Sequence, residues 1–328
     1  MPQKVLFIGG TGIISSACSQ LAVERGVELY LLNRGRSSRP VPEGARVLHG
    51  DIRDPESARA AIQGLNFDSI VDWVAFTPEH VQTDIDLFTG RTSQYVFISS
   101  ASAYQKPVAS LPITESTVLS NPYWEYSRNK IACEELLVRA YREQGFPSTI
   151  VRPSHTYDQR LLPFMGGWTE INRMRQGKKI MVHGDGTSLW VMTHHRDFAK
   201  GFLGLLGNPR TIGDAIQITS DEALTWNQIY EIFAHASGAT AKMVYVPSAT
   251  IGKHFPEWND GLIGDRTNSV IFDNTKVKRL VPDFAATIPL SWGAQEVIDW
   301  YDADPARQVV DVELDARIDK LIAAQEAV

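Results

Sequence analysis

Short runs of apolar residues recur along the first half of the chain and alternate with amphipathic stretches. The runs predict strands at residues 5–8, 27–32, 46–49, 69–74, 94–99 and 148–151. Helices are expected between them, one ending near residue 26, one at residues 55–64, one after residue 75 and one ending near residue 143. Strands that are almost continuously apolar and separated by helices indicate a parallel sheet covered on both faces.

The start of the last of these helices has a sequence signal of its own. Asn121 is followed by Pro122. Asparagine favours the position that caps a helix, and proline favours the first helical position after it. We therefore predict that the helix begins at this pair.

The alternation loosens after residue 156. Residues 157–190, rich in Gly, Trp, Met and Arg, predict a loop with one helix, and residues 215–219 predict a strand that returns to the sheet. Further helices are predicted at residues 225–237, 289–301 and 312–324. We expect an α/β fold with a doubly wound parallel Rossmann sheet. The nucleotide-binding domain would span residues 1–156, with returning segments near 193–220, and a smaller, mostly substrate-binding domain would span 157–328. Ligands should lie at the carboxyl ends of the strands.

Composition narrows the class of protein. The 328 residues are 43% apolar and 21% charged, which is typical of globular enzymes. A net charge of −6 argues against nucleic-acid binding driven by general positive charge. No run approaches the ~18 apolar residues that span a membrane, and the first residues lack a signal-peptide pattern, so we expect a cytoplasmic protein. Cys18 and Cys133 fall in predicted helices without metal-ligand spacing, which favours buried free thiols.

Three glycines lie between the first predicted strand and the helix after it. Gly9 permits a tight turn, and Gly12 permits backbone N–H groups to approach a pyrophosphate at the helix N-terminus. Ser15 stands where a third glycine usually allows close packing of helix on strand. We predict a dinucleotide site over a simple strand-to-helix turn, with contacts from Gly9, Thr11, Gly12, Ile13 and Ile14.

The end of the second predicted strand bears on the choice of cofactor. NAD sites usually carry an acidic residue there, which binds the ribose 2′-hydroxyl, but this chain has Asn33. Arg34 and Arg36 would pair with a 2′-phosphate, which favours NADP over NAD. The alternative is that both arginines are solvated in a loop. Asp51 and Ile52, after the third strand, are expected to contact the adenine.

A tyrosine and a lysine near the start of a predicted helix suggest the chemistry. Tyr126 and Lys130 have i, i+4 spacing and share a helix face, and Ser100 ends an apolar strand earlier in the chain. Hydride transfer at a carbinol carbon requires proton transfer at its oxygen. We expect Tyr126 to be the general base, with its pKa lowered by the Lys130 ammonium, and Ser100 to orient the substrate oxygen.

Several segments, in order, resemble the extended, atypical branch of the short-chain dehydrogenase/reductase superfamily, the NAD-dependent epimerase/dehydratase type. The segments are residues 9–15, 50–54, 99–104, 126–130, 151–154 and 183–186, and residues 196–199 and 225–228 also fit. The resemblance implies a catalytic triad of Ser100, Tyr126 and Lys130, with Tyr126 and Lys130 also contacting the cofactor. It implies that Val74, Ala75 and Phe76 lie beside the nicotinamide ribose, and that Pro153 and His155 lie near the carboxamide. It also implies a homodimer through a four-helix interface that includes the Tyr126 helix.

The chain departs from this family at positions that matter for substrate. Sugar-nucleotide enzymes of the family usually carry an arginine that clamps the pyrophosphate, and Trp190 stands in its place. Arg266 is a candidate replacement. The Asp-Glu pair of the family's dehydratases is replaced by Ala101-Ser102, which disfavours dehydration. We therefore expect a sugar derivative other than a standard UDP- or dTDP-sugar.

Six residues are candidates for contacts with the substrate. The candidates are Thr77, Ser102, Tyr157, Trp190, His194 and Arg266. Trp168, Trp190 and Trp258 would either stack on a sugar face or fill the core. His194-His195 would point to opposite faces of a strand and belongs to no metal-ligand cluster, so no metal is expected. Glu134-Glu135 is expected to be a solvated helix face.

Three functions remain open. The leading hypothesis is an NAD(P)-dependent oxidoreductase or epimerase acting on a hydroxyl or ketone of a carbohydrate or sugar-nucleotide-like substrate. The second is an NADPH-dependent reductase or dehydrogenase of a small non-nucleotide carbonyl compound. The third is an RNA-binding protein without turnover, as in the similar chloroplast stem-loop-binding proteins, which the net charge and the intact triad disfavour.

Overall fold

The computed structural model describes residues 2–327 as an α/β protein. Its strands are β1 (Lys4–Ile8), β2 (Glu28–Asn33), β3 (Arg46–His49), β4 (Phe67–Asp72), β5 (Thr92–Ile98), β6 (Ser148–Pro153), β7 (His155–Tyr157), β8 (Lys179–His183), β9 (Leu189–Trp190), β10 (Met192–His194), β11 (Ala215–Ile218), β12 (Leu224–Thr225) and β13 (Lys242–Val246). Its α-helices are α1 (Ile13–Glu24), α2 (Pro55–Ala61), α3 (Pro78–Phe88), α4 (Glu125–Gln144), α5 (Trp168–Arg175), α6 (His195–Leu203), α7 (Trp226–Ala236), α8 (Ser248–His254), α9 (Pro256–Gly261), α10 (Thr275–Leu280), α11 (Leu290–Asp302) and α12 (Val312–Glu326).

Seven strands form one parallel sheet in the order β11-β6-β5-β4-β1-β2-β3. The order reverses direction at β1, so the gap beyond the carboxyl ends of β1 and β4 is the topological switch point where such sheets bind ligands. The seventh strand, β11, comes from the second half of the chain and pairs with β6. The predicted doubly wound parallel sheet is confirmed.

Alternate residues of the central strand explain why both faces of the sheet are covered. Val5 and Phe7 belong to one apolar cluster, which includes side chains of α1 and α6. Leu6 and Ile8 belong to another, which includes side chains of α2, α3 and α4. Because successive residues of a strand point to opposite faces, one apolar run fills both layers.

A second group of elements lies beyond the carboxyl ends of the strands. Its strands pair two by two, β7 with β10, β8 with β13 and β9 with β12. Helices α5, α7 and α11 pack with them in a cluster rich in aromatic residues. After α9 the chain makes a π-helical turn at Leu262–Arg266, a form that occurs often at functional sites.

Two sequence predictions about elements were wrong. Helix α4 begins at Glu125, not after Asn121, because the Asn121 side-chain amide donates instead to the carbonyls of Ser102 (2.9 Å) and Gly264 (2.7 Å). Residues 157–190 contain, besides helix α5, the strand β8, the end of β7 and the strand β9. Apolar runs this short gave no periodicity that separates strand from loop.

A third prediction, that Glu134 is solvated, was also wrong. Glu134 is buried and its carboxylate binds the Arg152 guanidinium of β6 with N–O distances of 2.5 and 3.0 Å. The Ser99 hydroxyl donates to the same carboxylate at 2.5 Å. The neighbouring Glu135 is exposed, as expected. The ion pair fixes α4 against the strand that precedes the second group of elements.

Both cysteines are buried and unpaired, as expected. Within residues 2–327 no helix has the length and apolar character needed to cross a membrane.

Candidate active site

The turn after β1 is shaped so that only glycine fits two of its positions. Gly9 and Gly10 have φ values of 99° and 97°, in the left-handed region that side chains disfavour. A Cβ added to Gly10 would lie 2.6 Å from Leu31 Cδ2. The turn therefore brings bare backbone to the start of α1, where the first-turn N–H groups have no helical partners and favour an anion.

Ser15 replaces the third fingerprint glycine without filling the turn. Its hydroxyl points back into the loop and accepts a hydrogen bond from the Gly12 N–H at 2.7 Å. The side chain is buried within the first turn of α1. The serine thus satisfies one of the free N–H groups of the turn and leaves the space above it open.

A cleft of about 760 Å³ opens above this turn, and we call it the main cleft. Its lining includes most of the predicted nucleotide contacts: Gly9, Thr11, Gly12, Ile13, Ile14, Asn33, Arg34, Arg36, Asp51, Ile52, Val74 and Phe76. It also includes Ser37, Arg53, Trp73 and Thr156, which were not predicted as contacts. The turn that a Cβ would fill and the elongated cleft above it fit a dinucleotide.

The end of the main cleft beside β2 carries positive charge. Asn33 uses its side-chain oxygen to accept from the Gly35 N–H at 3.0 Å, and Arg34 lies 3.8 Å from the Asp51 carboxylate. Both charged groups of that pair are largely exposed, so the pair is weak and the Arg34 guanidinium remains available to a ligand. Arg36 lines the same end.

The loop after β2 is attached at two points. The Ser37 hydroxyl donates to the Thr11 carbonyl at 3.4 Å. Arg39 binds the buried Asp158, just after β7, with an N–O distance of 2.6 Å. The loop therefore spans from the glycine turn to the second group of elements.

Ser100, Tyr126 and Lys130 meet at the inner end of the main cleft. They line a narrower cavity of about 240 Å³ together with Trp73, Phe76, Pro153 and His155 among others. Tyr126 and Ser100 lie together in this lining. Lys130 is 2% exposed, and its ammonium donates to the carbonyls of Ala75 and Ile98 at 2.7 Å each. Ala75 is thus buried and holds Lys130 through its backbone.

The pKa values of Tyr126 and Lys130 differ from the values that the sequence analysis expects. Burial raises the pKa of Tyr126 to about 12, against a smaller lowering by the hydrogen bond with Ser100. Burial also lowers the pKa of Lys130 to about 8. The groups of the protein itself therefore favour the phenol over the phenolate at neutral pH, because the Lys130 ammonium binds two carbonyls and not the phenol oxygen.

Two further serines orient the hydroxyl of Ser100. The Ser127 hydroxyl donates to Ser102 at 2.8 Å, and the Ser102 and Ser100 hydroxyls are 2.9 Å apart. The Ser102 N–H also donates to the Ser100 oxygen, at 3.1 Å. Because the Ser100 oxygen accepts from the Ser102 N–H, the Ser100 proton can be donated to the Ser102 hydroxyl, towards Tyr126 or to a ligand.

A second cavity of about 270 Å³, the inner pocket, continues beyond Tyr126. It shares Ser100, Tyr126, Pro153, Ser154 and His155 with the narrower cavity, so a ligand here faces the inner end of the main cleft. The rest of its lining is Ala101, Ser102, Trp124, Trp190, Val191, Asp265, Val270 and Phe272.

Charge is scarce in the inner pocket. Asp265 is the lining residue with a charged side chain, and it pairs with the fully buried Lys106 at 3.3 Å. Burial lowers the pKa of His155 to about 3, so this imidazole is neutral. The Trp190 indole N–H is buried and has no partner among the described residues.

The structure does not bring the other substrate candidates to the inner pocket. Tyr157 is buried, with its ring 5.2 Å from that of His194. His194 caps α6 and faces Glu296 at 3.2 Å. Arg266 turns behind the pocket, where it binds the Pro163 carbonyl and lies 5.2 Å from the Trp226 ring. Thr77 precedes α3 outside the lining.

The neighbouring aromatic candidates have structural contacts. Trp168 stacks on Tyr301 at 4.6 Å and Trp258 stacks on Phe255 at 4.3 Å, so neither ring lines the inner pocket. His194 ends β10 and His195 begins α6, and their rings are 4.8 Å apart. The expectation that they point to opposite faces of one strand was therefore wrong. In residues 2–327 there is no group of three or more His, Cys, Asp or Glu side chains placed to hold a metal ion.

Comparisons with known proteins agree with this geometry. A model of the "NAD dependent epimerase/dehydratase family" matches residues 5–219. The chain is 25% identical over 287 residues to 2'-dehydrokanamycin reductase of Streptomyces kanamyceticus, covering 86% of this chain and 80% of that protein. It is 25% identical over 249 residues to chloroplast stem-loop binding protein of 41 kDa b of Arabidopsis thaliana, covering 72% and 64%. Among solved structures, dTDP-glucose 4,6-dehydratase of Bacillus anthracis in complex with NAD is similar, with a TM-score of 0.75, 18% identity and coverage of 93% and 98%.

Proposed function

This chain belongs to the NAD dependent epimerase/dehydratase family and is an enzyme of the short-chain dehydrogenase type with a nicotinamide cofactor, and from that premise we propose its reaction. We propose that it is an NADP-preferring oxidoreductase that reduces a ketone, or oxidises the corresponding hydroxyl, of a small carbohydrate that carries no nucleotide. The observation that carries the proposal is the small inner pocket, which opens onto Ser100 and Tyr126 and, among residues 2–327, has no free cation in its lining.

The size and charge of the inner pocket support a substrate without a nucleotide. Its volume of about 270 Å³ lies just below the roughly 300–1,000 Å³ typical of pockets for drug-sized ligands. A diphosphate would need arginine or lysine partners. Arg266 is turned away and Lys106 is paired with Asp265. A single sugar ring fits these walls: Trp124 and Trp190 offer apolar faces, while the hydroxyls of Ser100, Ser102 and Ser154 offer hydrogen bonds.

The side chains of Ser100, Tyr126 and Lys130 are suited to reduction of a ketone. The chemistry that a bound nicotinamide supplies is transfer of a hydride to or from the carbinol carbon. Tyr126 holds its proton at neutral pH and can donate it to the oxygen of a ketone as that oxygen gains charge. Ser100, whose oxygen accepts from the Ser102 N–H, would donate its proton to the same oxygen. Lys130 fixes the turn after β4, beside the position of the nicotinamide ribose that the family resemblance implies.

The preference for NADP rests on the end of β2. Arg34 and Arg36 line the main cleft there, and β2 ends in Asn33 rather than in an acidic residue. A 2′-phosphate would be attracted to the arginines, whereas a carboxylate at this position would repel it. The reductase name of the Streptomyces kanamyceticus relative is consistent with this direction of reaction.

The first test is cofactor and substrate binding by the purified protein. We expect NADPH to bind more tightly than NADH, and Arg34→Ala with Arg36→Ala to reduce that difference by about tenfold. Arg25→Ala, at the exposed end of α1, is the matched control and should change neither affinity. A panel of oxidised monosaccharides and sugar nucleotides would then be screened for NADPH consumption. Turnover of a UDP- or dTDP-linked sugar alone would contradict the proposed substrate class.

A second candidate function is an epimerase, which returns the hydride to the other face of its own ketone intermediate. The attachment of the β2 loop to Thr11 of the glycine turn and to Asp158 after β7 favours it, because such an enzyme keeps its cofactor bound. Denaturing the protein and identifying the released nucleotide separates the two. Near-stoichiometric NAD(H) would indicate the epimerase and contradict NADP preference.

A further inference from the structure

Two fully buried aspartates lie beneath the turn that follows β4. Asp72 ends β4 and Asp84 lies on α3, and both have 0% exposure. The Asp72 carboxylate is a near neighbour of the Asp84 carboxyl group, and the Tyr95 hydroxyl of β5 donates to Asp84 Oδ2 at 2.5 Å. The proposed mechanism uses none of these three side chains directly.

One arrangement gives each of the four carboxyl oxygens of Asp72 and Asp84 a hydrogen-bond partner. Asp72 Oδ1 accepts from the N–H groups of Val74 and Ala75, the latter at 2.8 Å. Asp84 Oδ2 accepts from Tyr95. The remaining two oxygens, Asp72 Oδ2 and Asp84 Oδ1, are buried and have no hydrogen-bond partner among the described residues. Two neighbouring carboxylates repel, whereas one proton held between these two oxygens would give both of them a partner.

We propose that Asp84 carries this proton on Oδ1 and donates it to an ionised Asp72, and that the acid pair is a positioning device for the cofactor and for Lys130. This inference goes beyond the proposed function and needs only the nicotinamide cofactor. Neither aspartate touches the reacting atoms.

The pair acts through the turn of residues 73–76. The ionised Asp72 holds the Val74 and Ala75 N–H groups, which sets the direction of the Ala75 carbonyl. That carbonyl accepts from the Lys130 ammonium at 2.7 Å. Val74 and Phe76, on either side, line the main cleft. A second negative charge on Asp84 would push Asp72 away and disturb both the cleft wall and Lys130.

Groups from each element packed against the pair set its proton affinity. They are Tyr95 of β5, His80 of α3, Lys130 and Cys133 of α4, and Arg53 after β3. Burial, followed by the charge of Asp72, raises the pKa of Asp84 well above its ordinary value. The native state then holds one proton more than the unfolded state between the ordinary and the raised pKa, so stability falls as the pH rises through that window.

Asp84→Asn tests the shared proton. Its amide can donate permanently to Asp72 and accept from Tyr95, without a titrating proton. The wild-type minus Asp84→Asn infrared difference spectrum at pH 7 should show the carbonyl stretch of an un-ionised carboxylic acid. The melting temperature of Asp84→Asn relative to wild type should rise as the pH increases through the window, since both proteins retain Lys130. An absent band, or a constant difference from pH 5 to 9, would overturn the shared proton.

Asp84→Leu tests the positioning role. It leaves Asp72 Oδ2 without a donor, and we expect NADPH binding at pH 7 to weaken about tenfold or more, whereas Asp84→Asn should stay within about threefold of wild type. Unchanged affinity in a folded Asp84→Leu would overturn the positioning role.

If Asp84→Leu does not fold, a second measurement tests the role. The NADPH dissociation constant of wild type, divided by that of Asp84→Asn, should increase with pH, and a constant ratio would overturn the proposal. If NADPH and NADH bind to no form, wild type included, cofactor binding and the positioning role both fail, while the spectrum and the melting curves still test the shared proton.

Discussion

Tyr126 lies where the main cleft meets the inner pocket, and burial keeps its proton in place at neutral pH. We predict that Tyr126→Phe lowers kcat by about 10²–10⁴-fold, the usual contribution of a positioned proton donor. Cofactor affinity and melting temperature should change little. Tyr123→Phe, an exposed tyrosine three residues earlier, is the control and should retain full activity. Equal turnover by Tyr126→Phe would remove Tyr126 from the mechanism.

Lys130 should set the alkaline limit of the reaction. Burial lowers the pKa of Lys130 to about 8, so its charge is present below that pH and lost above it. We expect kcat/KM for ketone reduction to fall above about pH 8, with Tyr126 contributing no further change until about pH 12. A pH–rate profile from pH 6 to 10 measures this. A flat profile would show that the charge of Lys130 does not affect catalysis.

For individual residues, the sequence predicted the cofactor and catalytic motifs better than it predicted which side chains line the inner pocket. The glycine turn and the Ser100, Tyr126 and Lys130 set were identified because their spacing has a chemical meaning. Arg266 was chosen for the substrate, but the π-helical turn places Asp265 in the inner pocket and turns Arg266 behind it. The direction of a side chain on an irregular turn depends on tertiary packing, which leaves no trace in residue spacing.

Among the elements, the turn between β1 and α1 permits a sharp test of backbone geometry. Gly10 and Gly26 both have positive φ, but a Cβ at Gly10 would meet Leu31 at 2.6 Å, whereas nothing lies within 4 Å of one at Gly26. We predict that Gly26→Ala costs about 1–2 kcal/mol of unfolding free energy, from backbone strain alone. Gly10→Ala should cost clearly more and weaken NADPH binding. Equal losses in urea unfolding would show that the contact with Leu31 relaxes freely.

The Glu134–Arg152 ion pair joins helix α4 to strand β6. Because both side chains are buried, Arg152→Met should destabilise the protein by about 3–5 kcal/mol, since it leaves an unpaired buried carboxylate. The double variant Glu134→Gln with Arg152→Met should recover part of that loss. Urea unfolding of the three proteins measures it. A double variant less stable than Arg152→Met would contradict the charge-burial explanation.

Prediction of the elements from the sequence failed for the start of helix α4 and for the burial of Glu134. The central strands β1 and β2 were found because each contains a nearly continuous apolar run. The Asn121-Pro122 pair predicted the wrong start for helix α4 because the Asn121 side chain donates hydrogen bonds to the Ser102 and Gly264 carbonyls. Glu134 was taken as solvated because an acidic pair on a helix usually is, and its partner Arg152 lies on a strand that only the folded chain brings close.

For the whole molecule, the class of fold followed from the alternation of strands and helices, and the structure confirms it. The homodimer that the family resemblance implies remains a prediction. The RNA-binding alternative of the sequence analysis is opposed by the net charge of −6. The small inner pocket was not predictable, since its walls come from residues between 100 and 272 that no single motif connects.

The route of the chain into the seventh strand has a consequence for folding. Strand β11 adds to β6 only after more than sixty intervening residues, so the sheet is completed by the part of the chain that also forms the second group of elements. A fragment of residues 1–156 would expose β6 as an unpaired edge with a row of free N–H and C=O groups, a template for aggregation. We predict that this fragment is insoluble or associates, and that the intact chain unfolds in one cooperative transition in calorimetry. Two separate transitions would show that the halves are thermodynamically independent despite the strand they share.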